Sequence, residues 1–345
     1  MKKIVAIHPD KVETDGGFQS FSMKWLDALS SSSSIETREV NVFSPDFVAD
    51  LRDADAFMWR TSNPGHFETL RRIMPAINRG LAIPTFPPSN LALLVHDKIA
   101  QSYLFQTHNL PFPKTEAFFN YDLAMEHIET HTYPKVVKFI GGSSSDGVGL
   151  VRDRDEAARY VRAMFGPGLQ SMGELNETSF RLALKKVRNG LQDIAGSSAA
   201  RRPKIQHGYA YFQDFIPDNT NDIRITVIGQ YALGFRRFNR PDDFRASGSG
   251  LLDWDPTKVP NSAVSLAFRV SKELNLPFVA VDVLYDGNAA IICELNFAYR
   301  AWAVDRCPGY WLLNEDNDLD PLSWVDTQVD CAALTLHEFI RINLS

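Results

Sequence analysis

Hydrophobic positions along the first ninety residues alternate between two periods. Ile4 to Ile7 is a short apolar run, the mark of a strand buried on both faces. Phe21, Trp25, Leu26 and Leu29 recur at helical spacing, so Phe18 to Leu29 reads as a helix. Glu36 to Val42 and Ala56-Phe57-Met58-Trp59 return to strand character. Phe67 to Asn78 then carries Leu70, Ile73, Met74 and Ile77 on one side. Strands alternating with helices predict a parallel sheet covered on both faces. Residues 1–90 are thus expected to form a small, doubly wound α/β domain.

The pattern changes after residue 90. Asn90 is placed to cap a helix running through Leu94, Lys98, Tyr103 and Phe105, which stops before Pro111 and Pro113. An extended segment, Pro113 to Phe118, a helix, Asp122 to His131, and a strand, Tyr133 to Ile140, follow. After a glycine-serine loop come a helix from Asp153 to Met164 and a basic helical stretch, Ser179 to Leu191. Residues 91–210 read as a central subdomain. Residues 211–345 open with apolar strands: Tyr209 to Phe215, Asp222 to Ile228 and Tyr231 to Phe238. A helix, Ser262 to Leu274, precedes a hairpin of Phe278 to Tyr285 with Ala289 to Asn296 around Asp286-Gly287-Asn288, a favoured turn sequence. Val325 to Ile342 reads as a final helix. The fold class is therefore mixed α/β, with parallel sheet at the start and antiparallel sheet at the end.

Composition narrows the functions. The net charge of −6 lacks the basic face that sequence-independent nucleic-acid binding needs. The three cysteines, Cys293, Cys307 and Cys331, match no zinc spacing and suggest a reducing compartment. The eight histidines show no metal spacing and take no catalytic role. Met1 to Asp10 reads as a first strand and not as a signal peptide, and no apolar run is long enough to span a bilayer. A cytoplasmic protein without nucleic-acid or membrane partners is expected.

Four constellations carry candidate chemistry. In the first, the strand ending at Lys138 runs into Gly141-Gly142-Ser143-Ser144-Ser145-Asp146-Gly147-Val148-Gly149. Glycine backbones, serine hydroxyls and a lysine can close over polyphosphate, although an exposed Gly/Ser hairpin has the same composition. The loop lacks the Gly-Lys-Ser/Thr ending of a Walker A motif. The second is Asp282 with Glu294 and Asn296 on its hairpin partner. Residues two apart in a strand share a face, so Glu294 and Asn296 point together and Asp282 can face them. Acids in such apolar strands need a partner, and three hard oxygen donors on one face suit Mg²⁺. Third, Tyr211 to Pro217 and then Asp222-Ile223-Arg224 join two strands by a short connector whose backbone can meet an adenine edge; an ordinary hairpin looks alike. Fourth, Arg224, Arg236 and Arg237 lie in strands, and Arg245 precedes the small-residue loop Ala246 to Gly250. A bidentate fork there can hold phosphate or carboxylate.

In this order the elements resemble the ATP-grasp superfamily over about residues 1–300, nearest to its ribosomal-protein glutamate ligase and D-alanine–D-alanine ligase branches. The resemblance implies an ATP-grasp fold in which residues 91–210 are a lid and 211–345 hold the metal site. It implies that Lys98, opening a helix after Asp97, and Lys138 bind ATP, with Gly142, Ser143, Ser144, Ser145 and Gly147 closing on the phosphates. Gln213, Asp214, Phe215 and Ile216 would hold adenine and Asp222 the ribose. Arg224 and Arg245 match basic positions near phosphates and the acyl intermediate. Asp282, Glu294 and Asn296 match the magnesium triad, which also accepts Mn²⁺. Arg300, and then Arg60 and Ser62, are the substrate candidates. One departure stands out: Asn296 is followed by Phe297-Ala298-Tyr299-Arg300-Ala301-Trp302 where relatives often carry a small residue, proline and glycine.

The implied activity is an ATP-dependent carboxylate–amine ligase, forming an amide or peptide bond through an acylphosphate. A kinase of the same fold acting on a hydroxyl, and a nucleotide-binding regulatory protein without turnover, are the alternatives. Amino acids, peptides or glycan precursors would be the partners, and the resemblance leaves a homo-oligomer open.

Overall fold

The computed structural model describes residues 2–10, 20–61, 63–141, 147–176, 205–314 and 322–344. They fall into two compact units. The first holds Met1–Val95, Thr107–Pro111 and Asn219–Ser345; the second holds His96–Gln106 and Phe112–Asp218.

The first unit begins with the parallel sheet that the alternating pattern predicts. Its strands are β1 (Lys3–Ile7), β2 (Ile35–Glu39), β3 (Ala56–Met58) and β4 (Thr85–Phe86), in the order β2-β1-β3-β4. Ser20 starts the helix Phe21–Leu29 by accepting the Met23 N–H at 3.3 Å, and Phe21, Trp25 and Leu29 bury its inner stripe. The C-terminal region supplies a seven-stranded antiparallel sheet. It contains β9 (Asn221–Ile228), β10 (Tyr231–Phe238), β11 (Leu252–Asp253), β12 (Phe278–Asp286), β13 (Ala289–Asn296), β14 (Tyr310–Leu313) and β15 (Leu322–Val325). The order is β13-β12-β9-β10-β14-β15, with β11 on β10.

The two faces of this sheet differ. Ile223, Ile225 and Val227 of β9 lie beside Val283, Val281 and Val279 of β12, all buried, and the helix Asn261–Glu273 packs across them. On the other face, Ile228, Leu233, Phe235, Phe278 and Ala280 join Val5, Ile7, Trp25, Phe86 and Phe339 in one core. Further along that face stand the charged residues of the candidate site. The β9–β10 turn is two residues long, and its first, Gly229, has φ +60°. The β12–β13 ladder is interrupted once. Asp282 pairs with Glu294 but Val283 pairs with Ile292, leaving Cys293 as a bulge residue.

The second unit is built on a four-stranded sheet, β5 (Thr115–Phe118), β6 (Lys135–Lys138), β7 (Val148–Val151) and β8 (Ala210–Asp214), in the order β5-β8-β6-β7. One face carries Val137 and Phe212 into a core formed with the helices Tyr121–Ile128 and Arg154–Phe165. Asn120 and Asp153 cap those helices, accepting the N–H groups of Leu123 at 3.0 Å and Glu156 at 2.8 Å.

Three expectations change. The helix expected from Asn90 through Phe105 is two helices, Ser89–Leu94 and Lys98–Thr107. His96 between them has φ +52°, which no helix continues through. Asn90 does not cap at a distance; its amide donates to the Leu274 and Asn275 carbonyls at 3.2 and 3.0 Å. The tail helix expected from Val325 begins at Cys331, because Leu322–Val325 pairs with β14 as a strand. The helical stretch expected at Ser179 to Leu191 lies outside the described residues.

Candidate active site

In the second unit, register decides which side chains share a face. Gln213 lies opposite Thr115 and Val136, and Lys138 is two residues beyond Val136, so Gln213 and Lys138 face the same way. Gln213 is buried and its amide donates to the Thr115 hydroxyl at 2.9 Å and the Tyr211 hydroxyl at 3.3 Å. Lys98 and Lys138 are both buried despite their charge. Asp97 caps the helix that Lys98 opens, accepting the Ala100 N–H at 2.9 Å, and the Lys98 N–H meets the Ile140 carbonyl at 3.4 Å. The start of that helix is thereby placed beside the chain leaving Lys138.

That exit is pinned. Ile140 donates its N–H to the Tyr209 hydroxyl at 2.8 Å, and Tyr209 donates to Gln206 at 2.8 Å. Phe139 and Gly147 close the base of the glycine-serine loop with a backbone bond of 2.8 Å. A Cβ on Gly147 would come within 3.0 Å of the Phe139 ring, which ties this glycine to close packing. Gly142, Ser143, Ser144 and Ser145 lie outside the described residues. Asp214 points to the face opposite Gln213 and is ion-paired with Lys135. Phe215 and Ile216, just past β8, are half-buried.

In the first unit, pairing carries a row of polar residues across four strands. Glu294 is opposite Asp282, Asp282 is opposite Arg224, and Asn296 is opposite Ala280 two positions along. Asp222 faces Arg237 on β10. Six polar side chains therefore share one face. Arg224 grips Asp282 in a bidentate fork, Nε to Oδ1 and Nη2 to Oδ2, each 2.7 Å. Arg237 grips Asp222 in a second fork of 2.6 and 2.5 Å and reaches Asp282 Oδ2 at 2.7 Å. Both acids and Arg237 are buried.

Burial alone would push Asp282 up, but the two guanidiniums outweigh it and hold the carboxyl down at about 2. For Asp222 burial prevails and the carboxyl sits above its ordinary value, although Arg237 pulls against it. Burial disfavours the Arg237 cation, yet Asp222 and Asp282 more than compensate and push it up.

This donor set fits a hard divalent cation. Asp282 receives two donors on Oδ2 and one on Oδ1, so one lone pair of Oδ1 stays uncommitted. Asn296 Oδ1 accepts the Ala298 N–H at 2.8 Å and keeps its second lone pair. Glu294 is half-exposed beside them. Three carboxylate and amide oxygens in this arrangement match magnesium better than a softer metal.

The remaining candidates are placed as follows. Arg245 is held by Asp243 through contacts of 2.7 to 3.0 Å, on a loop where Gly248 and Gly250 both have φ +76°. Arg300 is exposed at the start of the helix Ala301–Val304. Arg60 is buried, lies 4.0 Å over the Phe21 ring, and donates to the Tyr299 carbonyl. Ser62 lies outside the described residues. In the segment that departs from the resemblance, Phe297 and Tyr299 are buried, with Phe297 edge-on to Phe67 at 6.2 Å. Sequence reasoning missed Arg237 as the bridge between the two acids. It also missed a cluster in the second unit: Glu116, His127 and His131 bring one ligand atom each within 4.8 Å of one another. The signal was present as two histidines four residues apart.

No helix among the described residues is long and apolar enough to cross a membrane. Residues 193–307 match the family model of the RimK-like ATP-grasp domain. The alpha-aminoadipate–LysW ligase LysX of Saccharolobus solfataricus is 25% identical over 264 residues, covering 76% of this chain and 81% of that protein. Among solved structures, D-cycloserine synthetase DcsG aligns over 98% of this chain and 99% of its own, at 13% identity and a TM-score of 0.55. A RimK domain ATP-grasp protein from Sphaerobacter thermophilus aligns over 97% and 98%, at 17% identity and a TM-score of 0.53. The chain has the fold of these ATP-grasp structures, and its residues 193–307 match the RimK-like ATP-grasp domain.

Proposed function

We propose that the chain is an ATP-dependent carbon–nitrogen ligase that activates a carboxylate with ATP and passes the acyl group to an amine. The observation that carries this reading is the register that lines up Asn296, Glu294 and Asp282 on one face, with Arg224 and Arg237 behind them. The LysX relative, by its name a ligase of alpha-aminoadipate and LysW, supports an amino-acid or peptide-like pair of substrates.

Lys98 and Lys138 bind the phosphates of ATP, and Gln213 with Phe215 and Ile216 receives the adenine. Mg²⁺ held by Asp282, Glu294 and Asn296 would neutralise charge on the transferring phosphoryl group. Arg224 and Arg237 keep Asp282 ionised at neutral pH and fix its orientation, so the ligand is ready without a proton to lose. A substrate carboxylate oxygen attacks the γ-phosphorus and ADP leaves. The amine nitrogen attacks the acyl carbon, phosphate leaves and the nitrogen gives up a proton. Arg245, beside a loop with two left-handed glycines, stabilises the phosphoryl charge. Arg300 is exposed and suits a substrate carboxylate, whereas Arg60 is buried against aromatic rings and suits a supporting role.

The test is ADP release measured with carboxylates and amines supplied singly and in pairs, followed by product mass. Ligation gives ADP only when both are present, with a product lighter by one water than their sum. ADP release that needs no amine, with a product heavier by a phosphoryl group, would point to a kinase and refute the ligase.

A further inference from the structure

We propose that the second unit carries a transition-metal site made by Glu116, His127 and His131, of the class that Zn²⁺ occupies. The three residues come from neighbouring elements. Glu116 lies on β5, His127 near the end of the helix Tyr121–Ile128, and His131 just after it. The Glu116 Oε2 atom is 3.1 Å from Nε2 of His127 and 3.1 Å from Nε2 of His131. A tetrahedral ion with bonds of about 2.1 Å holds its ligand atoms about 3.4 Å apart, so the two histidine–glutamate spacings need only a few tenths of an ångström.

The orientation of His127 points the same way. Its Nε2 is buried and close to Oε2, yet the contact falls outside hydrogen-bond geometry. His131 is hydrogen-bonded to the same oxygen at 3.1 Å, so His127 Nε2 is the buried donor atom left beside it for an ion. Aromatic walls limit water: Phe118 lies 4.9 Å from the His127 ring, and Phe212 lies 5.0 Å from His131. The side chain of His131 is only 3% exposed.

Two imidazoles and a carboxylate favour zinc-like ions over magnesium.

The site is separate from the nucleotide residues. Glu116 pairs with Phe212, so it faces away from Gln213 and Lys138, on the opposite side of the sheet. An ion there would tie the helix Tyr121–Ile128 to β5.

The test uses the full-length protein in excess Mg²⁺, which occupies oxygen-only sites. Zn²⁺ binding is followed by competition with a chromophoric chelator, and Co²⁺ is added as a spectroscopic probe. One equivalent of Zn²⁺ is expected, with a rise in melting temperature that EDTA reverses and a strong visible Co²⁺ band. H127A and E116Q should each weaken Zn²⁺ binding about 100-fold or more and remove the band. His127 is partly exposed, so its variant should fold, and the wild-type measurements decide the matter even if it does not. No Zn²⁺ uptake by the wild type, or equal uptake by folded variants, would overturn the proposal and leave a packed polar cluster in which His131 is hydrogen-bonded to Glu116.

Discussion

Replacing Arg237 by methionine tests whether the charged row is held together as described. Arg237 is buried and its guanidinium serves two carboxylates, both oxygens of Asp222 and one of Asp282. Methionine has similar length but no charge. Asp282 would keep its bidentate bond to Arg224, so it loses part of its support. Asp222 loses both bonds of its fork and stays buried. Removing one partner of a buried pair costs about 3–5 kcal/mol, because the other charge is stranded. Asp282 gives an independent scale: a carboxyl held at about 2 against an ordinary value near 3.8 contributes about 2 kcal/mol at neutral pH. That contribution is present above the unfolded value near 4 and is lost as pH falls toward 2. Asp222 in R237M behaves oppositely. Burial already raises it, and without Arg237 nothing in the fork opposes the rise. The folded variant then binds a proton the unfolded chain does not, so its stability falls as pH rises and recovers on acidification toward pH 5. All six tryptophans lie in the first unit, so intrinsic fluorescence in urea reports this unit alone. A loss of about 3 kcal/mol or more at pH 7 is expected, shrinking at pH 5.5. Adding D222N to R237M should recover at least part of it. A loss under about 1 kcal/mol, equal at both pH values, would refute the account.

Lys138→Ala should lower the rate of ADP release about 100-fold or more while far-UV circular dichroism stays native; unchanged turnover would remove Lys138 from the nucleotide site. Glu294→Gln should raise the Mg²⁺ concentration needed for half-maximal rate more than it alters ATP binding, and a titration identical to wild type would free Glu294 of its metal role. Gly229→Ala should destabilise the first unit by about 2 kcal/mol or more. Its φ is +60°, and a Cβ would lie 1.8 Å from the buried Glu338 carboxylate; a melting curve matching wild type would show that the turn can relax.

The shared face of Asp282, Glu294 and Asn296 was legible in the sequence because two simple rules cover it. Strand side chains alternate, and a two-residue turn at Gly287-Asn288 sets Asp282 against the partner strand. The partners of the acids were not legible. That Arg224 faces Asp282 and Arg237 faces Asp222 depends on the order of β12, β9 and β10, which local pattern does not encode. The break at His96 was hidden for a different reason, since nothing in its residue type announces a positive φ. Strands β14 and β15 were missed because each is four residues long and β14 joins the sheet through β10, which is distant in sequence. Glu116 stands eleven residues before His127, so the strand-to-helix packing that joins them had to be seen.

The bulge at Cys293 acts as a phase shifter within one strand. Upstream of it, Ile292 is timed to Val283 and the helix-covered core; downstream, Glu294 and Asn296 are timed to Asp282 and the charged face. A regular strand would put Ile292 and Glu294 on the same side. The extra residue lets the core and the chemistry keep separate clocks. Deleting Cys293 alone would make Ile292 and Glu294 consecutive, and consecutive strand residues face opposite sides, so the ladder would become regular with each group still on its own face. A substitution at the same position would leave both clocks running.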